Sequence, residues 1–437
     1  MTVNVFGAGL AGCEAAYQLA KRGVHVKLYD MKPNKKTPAH SSDKFAELVC
    51  SNSLKAKRVS SAAGLLKEEM RRLDSLLVSC ADMCAVPAGG ALAVDREEFS
   101  RLVTEKIKNH ENIEFISEEV TSIPENEISV VATGPLTSDA LSRFISDKFG
   151  EHLSFYDAAA PIISAESVNM EHAFFESRYG KGDTDDYLNC PMNKEEYELF
   201  HNELVNAERA PVHDFDARDP KVYEGCMPIE VLAQRGVDTI RFGPMKPVGL
   251  RDPRTGHRPW AVLQLRKETV SGDMYNLVGF QTNLKFDEQK RVFGLIPALK
   301  NAEFYRYGVM HRNTFINSPK LLDSDFSLKS DKNIFFAGQI TGVEGYMESA
   351  SSGLLAGINA YLYASEKDTV VLPECTMMGA LSRYIGDESV KDFQPMGANF
   401  GVLPPLEDRP RDKALRGEMY ASRALDSLNA FIVDNNL

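Results

Sequence analysis

Three glycines in the run Gly7-Ala8-Gly9-Leu10-Ala11-Gly12 follow directly on the short β-type segment Val3 to Phe6. Glycine at these spacings is what a dinucleotide's phosphates require. The first allows a tight turn, the second lets the backbone approach a pyrophosphate, and the third lets helix and strand pack closely. The phosphates would rest on the N-terminus of the helical stretch through Leu19, where free N–H groups and the helix dipole favour an anion. Gly23 supplies a helix stop, His25 to Tyr29 alternate as a second strand, and Asp30 closes it, placed to accept hydrogen bonds from an adenosine ribose. A glycine triplet alone is weak evidence, whereas the complete strand-turn-helix-strand-acid unit is specific.

The elements that must position a second half of such a site lie far away in the chain. Ile128 to Val131 form another β run, ending in Ala132-Thr133-Gly134. Ile334 to Phe336 run into Ala337-Gly338-Gln339 and Thr341-Gly342-Val343-Glu344-Gly345-Tyr346, followed by a small-residue helix from Ser349 to Ala360 that carries Gly353 and Gly357. The layout resembles that of FAD-dependent proteins of the glutathione-reductase-like class, which implies FAD as the dinucleotide. In that class the late segment closes over the ribityl chain and flavin, which makes Gly134, Gly338, Gly342, Glu344, Gly345 and Tyr346 cofactor contacts beside the first turn. The expected fold is α/β, a discontinuous glutathione-reductase-like FAD-binding Rossmann domain of residues 1–155 and 315–437, with residues 156–314 as an inserted α+β domain. Within the insertion, Tyr187 to Met192, Glu230 to Phe242 and Tyr275 to Gln281 read as strands, Glu195 to Val205 as a helix and Pro211 to Pro220 as a polar loop.

Composition narrows the class further. A chain of 437 residues exceeds what one hydrophobic core normally serves, and 43% hydrophobic with 26% charged residues is ordinary for globular proteins. No secretory leader and no apolar run long enough for a membrane span is apparent, so a cytoplasmic protein is expected. The cysteines Cys13, Cys50, Cys80, Cys84, Cys190, Cys226 and Cys375 are odd in number and scattered, as in a reduced compartment. Cys80 and Cys84 stand one helical turn apart, but neither a zinc set nor a C-x-x-C pair is present, and no metal is expected. The net charge of −12 argues against coating of nucleic acid by bulk attraction. Local basic clusters could still dock RNA: Lys32, Lys35 and Lys36; Lys55, Lys57 and Arg58; Arg71 and Arg72; and Lys246 to Arg258 with Arg251, Arg254 and His257.

Several long and unusual stretches resemble one family, the FAD- and methylenetetrahydrofolate-dependent tRNA (uracil-5-)-methyltransferases. They are Thr37 to His40, Phe45 to Leu54, Val86 to Arg96, Glu224 to Glu230, Phe242 to Leu250, Met310 to Asn317, the late glycine segment and Phe393 to Met396. Two positions depart from the family pattern: Asp30 stands where Glu is expected, and Cys13 replaces a Ser. Neither departure touches the expected activity. A sister group methylates a ribosomal RNA uracil with the same chemistry.

The resemblance implies a reaction and its participants. NAD(P)H reduces FAD, methylenetetrahydrofolate supplies the carbon, and the methyl group is completed on uracil C5 of a structured RNA, either the tRNA T-loop or 23S ribosomal RNA. Uracil C5 is a poor nucleophile until a thiolate adds to C6, so a cysteine is required. Cys226, in Gly225-Cys226-Met227-Pro228, matches the family's nucleophile, and Cys50 is the second thiol, as acid-base group or alternative nucleophile. His40 and His311 are candidates to stack on the pterin, with Arg312 and Asn313 lining the site. Three rival readings remain: an NAD(P)H-dependent flavin oxidoreductase without RNA, an RNA-binding protein in which FAD is structural, and the larger flavoprotein that modifies wobble uridine with a GTPase partner.

Overall fold

The computed structural model describes every residue except Pro38, 151–152, 181–185, 211–226, Asp392 and Arg409. The chain builds a parallel sheet from β1 (Thr2–Phe6), β2 (His25–Asp30), β3 (Ile113–Ser117), β4 (Ser129–Val131) and β6 (Asp331–Phe336), with β5 (Ser327–Leu328) antiparallel at one edge. The strand order is β5-β6-β4-β1-β2-β3, with Val5 opposite both Leu28 and Val130, and Phe335 opposite Val130 on its other side. The inner strands β1 and β4 are almost wholly buried, and the one buried polar side chain on β1, Asn4, is satisfied by donating to Glu127 at 2.7 Å. The order reverses between β1 and β4, and an open α/β sheet of this kind leaves a ligand crevice at the carboxyl ends of those strands.

Two helices close on that crevice. Helix α1 (Leu10–Ala20) follows β1, and helix α2 (Tyr346–Ala364) follows β6. A Cβ on Gly353 would lie 2.1 Å from the Ala11 carbonyl oxygen, and one on Gly357 would lie 2.8 Å from that of Ala15. Only glycine permits so close a crossing, so the small residues of α2 bring its N-terminal turn beside the first turn of α1.

A second sheet, antiparallel throughout, runs in the order Phe174–Phe175, Leu188–Met192, Ala261–Lys267, Met274–Leu277, Ile162–Ser164, Phe304–Arg306. It has its own hydrophobic core, where Phe280 packs against Phe200 and Phe293, separate from the core around Leu28, Val130 and Leu354. An antiparallel ribbon pairs Leu153–Ala158 with Met310–Phe315, and a small sheet joins Ser53–Ala56, Ala91–Val94 and Ala85–Val86.

One expected element is corrected. Glu230 to Phe242 is not a strand but two short helices, Ile229–Gln234 and Thr239–Phe242. Pro228 caps the first, Gly236 at φ +150° breaks the run, and Ile229 and Ala233 are buried one helical turn apart. The strand read from Tyr275 to Gln281 is shorter, Met274–Leu277, and Gly279 at φ +78° turns the chain soon after it. Pro211 to Pro220 lies outside the described residues. Among the described residues no helix is long and apolar enough to cross a membrane.

Candidate cofactor and thiol site

A cavity of about 450 Å³ opens at the ends of β1 and β4. Gly7, Gly9, Leu10, Ala11 and Asp30 line one side, Gly134 lies on its wall, and Gly338, Glu344, Gly345 and Tyr346 come from the late segment. His40, Cys50 and Asn313 also stand on the wall. Gly7 adopts φ +101°, and a Cβ there would lie 2.6 Å from the Ala132 carbonyl oxygen. A Cβ on Gly9 would meet nothing within 4 Å, so the space over the first turn of α1 is open to a ligand. Gly9 caps α1 without a side-chain hydrogen bond, and the amides of the first turn remain available to an anion.

Ala8, Gly12 and Gly342 act behind this surface. The Ala8 amide donates to Asp30 Oδ2 at 2.7 Å, and the Lys32 amide donates to Asp30 Oδ1 at 2.9 Å, so Asp30 ties the turn together as well as facing the cavity. A Cβ on Gly12 would sit 1.7 Å from the Gly7 carbonyl oxygen, and one on Gly342, at φ +86°, 2.5 Å from Phe393. Gln339 Nε2 donates to Glu344 Oε2 at 2.7 Å.

Cys50 is half-buried and its backbone is held from two directions. The Cys50 and Ser51 amides both donate to the Tyr346 hydroxyl, at 2.7 and 3.2 Å. From the second sheet, Arg266 donates through Nε to Asn52 Oδ1 and through Nη2 to Ser51 Oγ, each at 2.9 Å. Asn52 Nδ2 in turn donates to the carbonyls of Val94 and Lys267. The thiol points toward the Ala158 carbonyl oxygen, 3.7 Å away.

Cations gather behind this loop. Arg96, at the start of helix Arg96–Lys108, pairs with Glu268 at 3.1 and 3.3 Å, while its Nη1 is buried without a hydrogen-bond partner. Burial works against the Arg96 charge, and the Glu268 carboxylate overrides it, holding the guanidinium above its ordinary range. Burial and then the like charge of Arg96 pull Arg306 below its ordinary range. Burial first, then the neighbouring Cys50 thiol, pushes the Tyr346 phenol up. Arg96, Arg266 and Arg306 come from three separate segments, and the sequence reading missed all of them as site residues; only Arg96 falls inside a stretch that carries the family resemblance.

The remaining candidates distribute unevenly. Cys226 lies outside the described residues. His40 accepts or donates at Nδ1 with Thr37 Oγ1, 2.5 Å away. His311 and Arg312 lie on the strand Met310–Phe315, opposite Asp157 and Tyr156 in register. Cys13, Cys80, Cys84 and Cys190 are buried, and burial raises each thiol, Cys80 to about 11 and Cys84 to about 12. Among the described residues no cluster of three His, Cys, Asp or Glu side chains could hold a metal. Six cations of the basic clusters are paired: Lys35 with Glu119, Lys36 with Asp43, Lys55 with Glu348, Arg71 with Asp82, Arg72 with Glu68 and Arg254 with Asp252.

A parallel sheet with a phosphate turn after its first strand, and a second glycine turn from a distant segment lining the same cavity, defines a dinucleotide-binding protein of the flavoprotein type. Residues 2–368 match the family model described as glucose inhibited division protein A. The chain is 62% identical over 431 residues to methylenetetrahydrofolate–tRNA-(uracil-5-)-methyltransferase TrmFO of Acetivibrio thermocellus, and 59% and 56% identical over 431 residues to the enzymes of that name from Pelotomaculum thermopropionicum and Halalkalibacterium halodurans. Each alignment covers 98% of this chain and 98% of the relative. The chain belongs to the glucose inhibited division protein A family and, within it, to the methylenetetrahydrofolate–tRNA-(uracil-5-)-methyltransferase group. Two crystal forms of GidA from Aquifex aeolicus share the fold, with TM-scores of 0.68 and 0.66 at 17% identity. The first comparison covers 98% of this chain and 77% of that one, and the second covers 88% and 67%.

Proposed function

We propose that this chain is a folate-dependent tRNA methyltransferase that forms 5-methyluridine, with FAD as resident cofactor. The observation that carries this reading is the single cavity lined by both glycine turns and by Cys50. The group fits the residues present: the open space over Gly9 accommodates a pyrophosphate, and Gly338, at φ +83° with a Cβ position 2.9 Å from that of Ala11, keeps the two turns close enough to share one ligand. Asp30 would accept from the adenosine ribose, the α1 amides would hold the phosphates, and Gly134, Gly338, Glu344, Gly345 and Tyr346 would face the ribityl chain and ring. When bound and reduced by NAD(P)H, FAD supplies the electrons that turn a one-carbon unit from methylenetetrahydrofolate into a methyl group.

The protein's own part is thiol chemistry and positioning. Two thiols share it, each acting as thiolate: one adds to uracil C6 and opens the C5=C6 bond, which makes C5 nucleophilic, and the other takes the proton from C5 after alkylation, so that the C5=C6 bond re-forms as the C6–S bond breaks. Cys226 is assigned the first role and Cys50 the second, with Cys50 steadied by Tyr346 and Arg266. His40, His311, Arg312 and Asn313 belong to the surroundings of the folate and the ring. Residues 1–155 and 315–437 form the cofactor domain, and residues 156–314 cover it.

The test is incubation of the purified yellow protein with methylenetetrahydrofolate, NAD(P)H and separate tRNA and ribosomal RNA transcripts, followed by nucleoside mass analysis. 5-Methyluridine in tRNA is the expected product. Product in ribosomal RNA alone would move the substrate to the sister group, and product in neither would overturn the reading.

A further inference from the structure

Asn313 carries an unanswered hydrogen-bonding demand. It stands on the cavity wall at 1% exposure, yet its Oδ1 is buried without a partner and its Nδ2 bonds to no described residue. Buried amides are normally satisfied, so an orphaned one in the wall of a cavity marks the place of a missing partner. Its neighbours fix where that partner lies. The Thr314 amide donates to the Pro135 carbonyl at 3.0 Å, next to Gly134, and the Ile316 amide donates to the Ile340 carbonyl at 2.8 Å, between Gly338 and Gly342. Asn313 is therefore stitched between the two turns that converge on the cavity.

A carboxamide offers an acceptor oxygen beside a donor N–H. Its complement is an N–H flanked by a carbonyl, the imide edge. Isoalloxazine and uracil both present that edge. We infer that Asn313 reads the imide edge of the bound flavin, its oxygen accepting from ring N3–H and its amide donating to the adjacent ring carbonyl. The placement favours the resident cofactor over the transient base, because the amide is buried in the wall and the strand that carries it is anchored, through Thr314 and Ile316, beside both glycine turns. The inference rests on the FAD reading above.

The test uses wild-type protein stripped of flavin, titrated by fluorescence with FAD and with FAD methylated at N3. Wild type should bind the methylated form about tenfold or more weakly, the effect of losing one well-made buried hydrogen bond. Asn313→Ala should bind FAD about tenfold more weakly than wild type and should no longer distinguish the two forms. The wild-type arm needs no variant, so a misfolded substitution leaves the inference testable. Equal binding of both forms by wild type would overturn it. So would an Asn313→Ala protein with unchanged FAD affinity and a raised KM for tRNA, which would transfer the residue to the substrate uracil. Wild type that binds no FAD would bring down the cofactor reading itself, a result distinct from binding without discrimination.

Discussion

Tyr346→Phe isolates one hydroxyl whose work is visible in the geometry. The ring stays, and with it the packing against the cavity; what disappears is the oxygen that accepts the Cys50 and Ser51 amides at 2.7 and 3.2 Å. Leaving a buried donor unpaired costs ~1–3 kcal/mol, and the longer of these two bonds is the weaker, so about 2 kcal/mol is a fair sum for the pair. If that energy holds Cys50 in its reactive position, methylation slows by about 30-fold, since each 1.36 kcal/mol is a factor of ten. Global stability responds far less. An unfolding entropy of ~2.1 cal/mol/K per residue amounts to roughly 0.9 kcal/mol/K for a chain this long, so the same energy lowers Tm by only about 2 °C. Single-turnover methylation of tRNA, FAD content from the visible spectrum and a thermal melt would be measured on the same preparation. The expected pattern is a slowed turnover with flavin content and melting nearly intact. A rate within about threefold of wild type would refute the view that the hydroxyl positions the thiol loop.

Three further outcomes follow from the same structure. Gly9→Ala, whose new Cβ meets no protein atom, should melt like wild type but bind FAD at least about tenfold more weakly, whereas Gly12→Ala, whose Cβ would overlap the Gly7 carbonyl, should be destabilised by about 3 kcal/mol or more; urea unfolding and flavin titration separate the two. Glu69 is fully buried, and burial lifts its carboxyl to about 8 although the Met377 and Met378 amides donate to it. The native state thus keeps a proton that the unfolded chain releases near pH 4.5, so stability falls as pH rises from about 4.5 to about 8; Glu69→Gln should flatten urea midpoints between pH 5 and 8, and an unchanged slope would count against this group. Iodoacetamide should modify the half-buried Cys50 and Cys375 ahead of the buried Cys13, Cys80, Cys84 and Cys190, and FAD should protect Cys50 but not Cys375, as read by peptide mass analysis.

The first turn and its strands were legible because the chemistry of close approach leaves glycine no substitute: Gly7 and Gly12 stand where any Cβ would collide with backbone. The small residues of α2 carried the same kind of signal, since Gly353 and Gly357 meet the backbone of α1. Glu230 to Phe242 misled because its apolar content suits a strand, and its helical nature rests on Pro228, on Gly236 and on a buried Glu230 that accepts from Thr282 and Asn283. Arg266 and Arg306 left no signal in the sequence, and Arg96 none beyond its place in the stretch Val86 to Arg96. Arg96, Arg266 and Arg306 are scattered along the chain, and each looks like a surface charge until folding buries it beside Cys50. The basic clusters are a different case, because runs of Lys and Arg say nothing of the carboxylates that folding brings to them, such as Glu119 beside Lys35 and Glu348 beside Lys55.

The placement of Cys50 gains its meaning from the separation of the two cores. Apolar surfaces alone would let one core slide over the other in small steps at little cost, because hydrophobic contact is not directional. Here the contact is polar and discrete: Arg266 of the second sheet grips Ser51 and Asn52, Asn52 reaches back to both Val94 and Lys267, and Glu268 pairs with Arg96. A shift that broke this register would strand buried donors and acceptors at ~1–3 kcal/mol each, and more for the separated ions. Such links stabilise little when intact, since desolvation offsets most of their attraction, but they penalise every alternative arrangement. The loop that carries Cys50 is therefore indexed to both cores at once, to the cofactor sheet through Tyr346 and to the covering sheet through Arg266, and the thiol keeps its place on the cavity wall only while the two agree.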